Sequence, residues 1–173
     1  MTFGTRRARP AAGERSTDSD AAREAALRLL ERALRTRFDL TRKLGERGFA
    51  EATISDVLDR LEGVGLVDDV EFARAFLAGR WGRRAAGWRR LEAELRGRGV
   101  APDAIARARE QLEERVGAVD EVAAARRVIE QSARRYAALD PRRRRQWLWA
   151  LLMRRGFDGD VIERALRENP PED

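Results

Sequence analysis

One phrase is written three times in this chain of 173 residues, and it restricts what the chain can fold into. Arg47-Gly48-Phe49, Arg98-Gly99-Val100 and Arg155-Gly156-Phe157 each follow a leucine four residues before the glycine (Leu44, Leu95, Leu152). Each leads to an isoleucine six residues after it (Ile54, Ile105, Ile162). A further leucine stands another four residues back, at Leu40, Leu91 and Leu148. Leucines four apart share one face of an α-helix, and a glycine just past them supplies the left-handed residue that ends it. Recurrence at spacings of 51 and then 57 residues therefore predicts tandem helical repeats. Units this small cannot bury an apolar face alone, so neighbours share core and function is expected along the surface of the array.

Each repeat reads as three short helices. In the first, Ser19 or Asp20 caps a helix running to about Arg35, with Ala25 and Leu29 (or Ala26 and Leu30) and Ala33 or Leu34 facing inward. Thr36 caps the second helix, with Asp39 three residues on, and Gly48 stops it. A third helix from about Ala50 carries Ile54, Val57, Leu58 and Leu61 inward. The second repeat opens at Asp68-Asp69, continues with Leu91 and Leu95, and places Pro102 in a first helical turn before Ile105, Ala108 and Leu112. In the third, Asp120, Asp140-Pro141 and Asp158 open the helices. Aromatic content of 6% and an apolar set dominated by Ala, Leu and Val favour helix over sheet. The expectation is an all-α chain of three tandem three-helix repeats over 20–67, 68–117 and 118–169. A disordered basic tail at 1–19 and a short tail at 170–173 flank them.

No catalytic site is legible. Cys and His are absent, which removes thiolate and imidazole metal ligands, the cysteine nucleophile and the commonest general base. Asp68-Asp69 is a conspicuous carboxylate pair, but at a helix start it reads as a cap rather than a metal site. Gly63-Val64-Gly65 lacks the strand and third glycine of a dinucleotide fingerprint, and Lys43, the sole lysine, is not in a glycine-rich loop. No enzyme activity, metal or cofactor is expected. The first 19 residues hold arginines but no apolar run, so no secretory signal or membrane span is read there, and a cytoplasmic setting is expected.

The net charge of +6 is spread thinly, with the first repeat neutral, so the informative feature is local clustering. Arg83-Arg84, Arg89-Arg90 and Arg142-Arg143-Arg144-Arg145 are placed to meet phosphate or acidic protein, or to pair with nearby glutamates on solvated helix faces. Register between repeats also puts Trp88, Trp147 and Trp149 where sister repeats have polar residues. These rings either pack on neighbouring helices or present contact points to a partner. Two non-enzymatic classes follow: a helix-turn-helix-like regulator acting on duplex DNA, and a helical repeat protein that binds a protein surface or filament.

The residues themselves resemble a known family. Gly65-Leu66-Val67-Asp68-Asp69-Val70-Glu71-Phe72-Ala73-Arg74-Ala75-Phe76 through Arg80 is similar to the signature of RecX proteins, bacterial regulators of the RecA recombinase. Leu91 through Val100 resembles that family's second-repeat helix and turn, and Arg154-Arg155-Gly156-Phe157 with Asp160 and Ile162 resembles its third. The likeness spans about residues 20–167 and implies an elongated, curved, all-helical molecule of three repeats, in agreement with the periodicity. It also implies a non-enzymatic, monomeric negative regulator that binds along the groove of the RecA–DNA filament, blocks extension and promotes disassembly. Recombination, ATP hydrolysis and co-protease activity, and with them DNA repair and the SOS response, would be restrained, and DNA would be bound more weakly through its phosphates. Clustering on the curved face then nominates Arg83, Arg84, Arg89, Arg90, Arg98, Arg142, Arg143, Arg144, Arg145, Arg154 and Arg155, with Trp88, Trp147 and Trp149, as contact residues. One departure stands out: the family often has proline after the glycine that precedes its second-repeat helix, and here Trp88 follows Gly87.

Overall fold

The structure, a computed structural model, describes residues 15–81, 86–136 and 138–167. Among them run nine α-helices: α1 (Ser19–Leu30), α2 (Arg37–Glu46), α3 (Glu51–Gly63), α4 (Asp69–Ala78), α5 (Trp88–Arg96), α6 (Pro102–Val116), α7 (Glu121–Tyr136), α8 (Pro141–Arg154) and α9 (Gly159–Arg167). They fall into three sets of three, in the order the repeated phrase predicts. The chain forms two compact units, one ending at Asp69 and the other beginning at Val70.

In the first unit, α2 starts where Thr36 leaves the helical region (φ −75°, ψ 155°) and its hydroxyl accepts the Asp39 N–H at 3.1 Å. Leu40 and Leu44 on α2 are fully buried against Ile54, Val57, Leu58 and Leu61 of α3. The first helix departs from expectation. Its cap is Asp18, whose carboxylate accepts the Ala21 N–H at 2.9 Å, so Ser19 and Asp20 lie inside the helix. It stops at Leu30, because the chain must turn to bring Thr36 round in extended conformation. Ala22, Ala26 and Leu29 form its buried stripe, while Ala33 and Leu34, expected inward, are exposed. The end of the supposed tail is also engaged: the Ser16 N–H donates to the Gly48 carbonyl at 2.7 Å, and the Ser16 carbonyl accepts the Ala50 N–H at 2.8 Å. Residues 1–14 of that tail lie outside the described residues.

The three glycine turns share one geometry. Gly48, Gly99 and Gly156 have φ of 88°, 77° and 84°, and the next residue donates back to the second repeated leucine: Phe49 to Leu44, Val100 to Leu95 and Phe157 to Leu152, at 3.2–3.3 Å. This is a Schellman arrangement, in which a left-handed residue lets orphan carbonyls at the helix end find partners. Phe49, Val100 and Phe157 are buried directly after it. The phrase therefore encodes a helix stop followed by a core anchor.

In the second unit, one core gathers Phe76, Leu77, Trp81, Leu91, Leu95, Ile105 and Leu112, and another gathers Val128, Ile129, Tyr136, Leu148, Leu152, Phe157 and Ile162. Backbone contacts join these two repeats. The Gly87 N–H donates to the Arg155 carbonyl at 2.9 Å and the Arg89 N–H to the Gly156 carbonyl at 3.1 Å. A Cβ on Gly87 would stand 2.4 Å from the Gly156 carbonyl oxygen, which accounts for glycine there. The orphan N–H groups at the start of α5, which no side chain of its own cap satisfies, are thus held by the third repeat.

Candidate interaction surface

A helix start is an electrostatic problem as well as a hydrogen-bonding one, since its first amides point outward with partial positive charge. Two of the middle helices solve it in the same way. The Glu121 carboxylate, at the first residue of α7, accepts the Trp88 N–H at 2.7 Å and the Trp81 indole N–H at 3.2 Å. The Asp69 carboxylate, at the first residue of α4, accepts the Arg37 N–H at 2.9 Å. Burial pushes both carboxyl groups up from their ordinary range, against the pull of these hydrogen bonds. Asp69, expected to cap the helix it opens, instead serves the start of α2. Among the described residues, no group of three or more acidic side chains is placed to hold a metal.

The Glu121 node accounts for how Trp88 opens α5. Proline at a first helical position leaves no amide to satisfy. Trp88 keeps its amide and gives it to Glu121, while its ring lies 5.0 Å from the Trp81 ring. The Arg109 guanidinium sits 4.8 Å and 4.5 Å from those two ring centres, a cation–π arrangement that also brings positive charge toward Glu121. Trp147 packs its ring 5.3 Å from that of Tyr136, and Trp149 is half-buried against the same core. All three nominated tryptophans are half-buried, with rings engaged in packing.

The nominated arginines divide by the company they keep. Arg83 and Arg84 lie outside the described residues. Arg90 pairs with Glu94 at 3.1 Å, Arg89 approaches Asp158 at 3.7 Å, and Arg143 pairs with Asp140 at 3.4 Å, the residue that caps α8 by accepting the Arg143 N–H. Arg98 is exposed, with its guanidinium 5.7 Å from the Phe76 ring centre, and Arg155 is half-buried at the turn that receives Gly87. Arg144 is half-buried, with its charge acting on Tyr136. Arg142, Arg145 and Arg154 are exposed and make no ion pair among the described residues. The sequence reading passed over Arg134 and Arg135, which occupy the last turn of α7 directly before the Arg142–Arg145 run. It also passed over Glu121. The signals were two arginines shortly before the cluster and a carboxylate next to Asp120, where a helix was expected to open.

Comparison with known proteins settles the family. The model of the RecX first three-helix domain matches residues 22–61, that of the second matches 68–108, and that of the third matches 119–166. The chain belongs to the RecX family. It is 40% identical over 149 residues to the regulatory protein RecX of Thermobifida fusca (strain YX), covering 85% of this chain and 77% of that one. It is 40% identical over 154 residues to the regulatory protein RecX of Halorhodospira halophila (strain DSM 244 / SL1), covering 88% and 90%. A crystal structure of regulatory protein RecX superposes with a TM-score of 0.74 at 26% identity, over 84% of this chain and 71% of that one. These RecX relatives are named as regulatory proteins and not as enzymes. No helix among the described residues is long and apolar enough to cross a membrane.

Proposed function

We propose that this protein is a negative regulator of RecA, acting in the cytoplasm as a monomer without catalytic activity of its own. It binds along the groove of the RecA–DNA filament, blocks extension and favours disassembly, and so restrains recombination, ATP hydrolysis and co-protease activity. The observation that carries the reading is the match of all three RecX three-helix domains in order along one chain. The exposed arginines supply a second support. A filament of protein and DNA presents acidic side chains and phosphates, and guanidinium groups recognise both through paired hydrogen bonds. Contacts of this kind weaken with salt, through screening and counterion release.

The test is filament length. Purified protein is added to RecA assembled on single-stranded DNA, and filaments are measured by electron microscopy before and after. Shortening at substoichiometric protein supports the reading. Unchanged filaments, together with tight binding to one particular duplex sequence, would favour the helix-turn-helix-like DNA regulator instead.

A further inference from the structure

The repeated glycine turn is occupied by a second stretch of backbone in two of the three repeats. In the first, Ser16 runs beside Phe49 in an isolated parallel bridge. Its N–H donates to the Gly48 carbonyl at 2.7 Å and its carbonyl accepts the Ala50 N–H at 2.8 Å. In the third, the extended segment entering α5 engages the turn, with Gly87 donating to the Arg155 carbonyl at 2.9 Å and Arg89 to the Gly156 carbonyl at 3.1 Å. Both occupants bring a small residue to the turn, and at Gly87 a Cβ would stand 2.4 Å from the Gly156 carbonyl oxygen.

The second repeat has the same turn without the occupant. Gly99 has φ 77°, beside 88° and 84° in its sisters, and the Val100 N–H returns to Leu95 as theirs do. Gly99 and Ala101 are the counterparts of Gly48 and Ala50. Among the described residues, however, the Gly99 carbonyl and the Ala101 N–H have no hydrogen-bond partner. Both residues are exposed, whereas Gly48 and Ala50 are half-buried. Approach is unobstructed, because Gly97 and Pro102 flank this turn where the first repeat has Glu46 and Glu51. The turn is also held without help: Val100 is buried in the core, and Pro102 opens α6 with its φ fixed by the ring. An acceptor and a donor held in advance lower the ordering cost of binding.

We propose that the Arg98-Gly99-Val100 turn is a docking site for an extended segment of a partner protein, whose main chain donates to the Gly99 carbonyl and accepts from the Ala101 N–H. The two filled turns define what fits. The docking residue keeps its amide hydrogen, which excludes proline, and its side chain is no larger than that of Gly, Ala or Ser, since backbone meets backbone at the contact. Main-chain pairing of this kind supplies affinity, and the neighbouring side chains supply specificity. A phosphodiester would accept from Ala101 but has no hydrogen to give the Gly99 carbonyl, so the pair of groups selects a polypeptide. The inference adds a surface to the filament reading and does not depend on it.

The experiment uses the full chain and, as probe, a synthetic peptide with the sequence of residues 13–20, the stretch whose Ser16 fills the first turn. Amide hydrogen exchange of Ala101 and Ala50 is followed by NMR. Peptide at about ten times its dissociation constant is expected to slow exchange at Ala101 about tenfold, because only the unbound state exchanges, and to leave Ala50 unchanged. The same peptide carrying Ser16→Pro, which lacks the amide hydrogen, or Ser16→Leu, which is too large, is expected to give no slowing. On the protein, Ala101→Pro removes the donor at a φ of −68° that suits proline, and is expected to abolish peptide binding with helix content intact. Should that variant fail to fold, the two altered peptides carry the same test on the unaltered chain. Exchange at Ala101 that ignores the peptide would overturn the site, as would slowing confined to Ala50, which reports only exchange with the chain's own segment. Equal effect of the Ser16→Pro peptide would overturn main-chain pairing. Protection of Ala101 without peptide would overturn the partner in favour of a second copy if it rises with protein concentration, or of the chain's own residues 168–173 if it is lost on their removal. RecA appears in none of these measurements, so their failure leaves the filament reading to its own test.

Discussion

The Glu121 carboxylate meets the Trp88 amide at 2.7 Å, so the first residue of α7 caps the first residue of α5. The third repeat thereby completes a helix of the second. Removing the carboxylate strands two donors, the Trp88 amide and the Trp81 indole, in a largely dry site. Glu121→Ala is expected to cost about 1–3 kcal/mol, read from chemical denaturation of the full chain. Glu121→Gln keeps an acceptor oxygen and is expected to cost less.

The same contact sets a pH dependence. Burial raises the Glu121 carboxyl above its ordinary range, and the hydrogen bonds from Trp81 and Trp88 offset this only in part. The folded chain therefore holds this proton more tightly than the unfolded chain does. Stability linked to Glu121 is complete below the unfolded-state value and falls as pH rises through the folded-state value. Melting temperatures measured across that acidic window should decline less with rising pH in Glu121→Gln than in the unaltered protein. Taking the difference between the two removes groups of opposite sign, such as Asp39, which is lowered despite desolvation by its hydrogen bonds to Arg42 and Arg35.

The glycines separate into two classes. Gly65 has φ 71° and open space around the position a Cβ would take, so Gly65→Ala incurs only the left-handed penalty of about 1–2 kcal/mol. Gly156 has φ 84°, and a Cβ there would lie 2.5 Å from the Arg90 amide nitrogen and Cβ. Gly156→Ala adds steric overlap to the same penalty and should cost about 3 kcal/mol or more. Thermal melts of the two variants check the order. Equal destabilisation would contradict the close approach of the repeats at this turn.

How much of this was legible beforehand follows from the range of each interaction. Leu40, Leu44, Gly48 and Ile54 are fixed by contacts within a few helical turns, and the spacing alone placed them correctly, as it did for their counterparts in the other repeats. The start of α1 was displaced because Asp18, Ser19 and Asp20 are all competent caps, and the choice depends on where the Ser16 backbone is tied to Gly48. Leu34 was misjudged for a similar reason: helical periodicity was carried past the point where the chain turns toward Thr36. Arg89 was nominated on clustering alone, and the approach of Asp158 to it was not legible because Asp158 lies a full repeat away. Trp88 became intelligible only once Glu121 was brought beside it. Short-range packing was readable, and long-range capping was not.

Salt bridges on the surface give a prediction of small effect. Arg60 and Asp56 are both well exposed and pair at 2.8 Å, so Arg60→Ala should change stability by well under about 1 kcal/mol. Arg37 is different, since it reaches Asp59 at 2.8 Å, contacts Glu62 at 2.6 Å and also donates its amide to Asp69. Asp69→Ala leaves that amide without its half-buried partner and is expected to cost about 1 kcal/mol, more than Arg60→Ala in the same denaturation assay.

The most direct test of the regulatory reading is the rate of ATP hydrolysis by RecA on single-stranded DNA as the full chain is titrated in. The account predicts that hydrolysis falls progressively at protein levels below those of RecA, and that the inhibition weakens as salt is raised. A rate that stays constant to equimolar protein, with RecA remaining on the DNA, would contradict it.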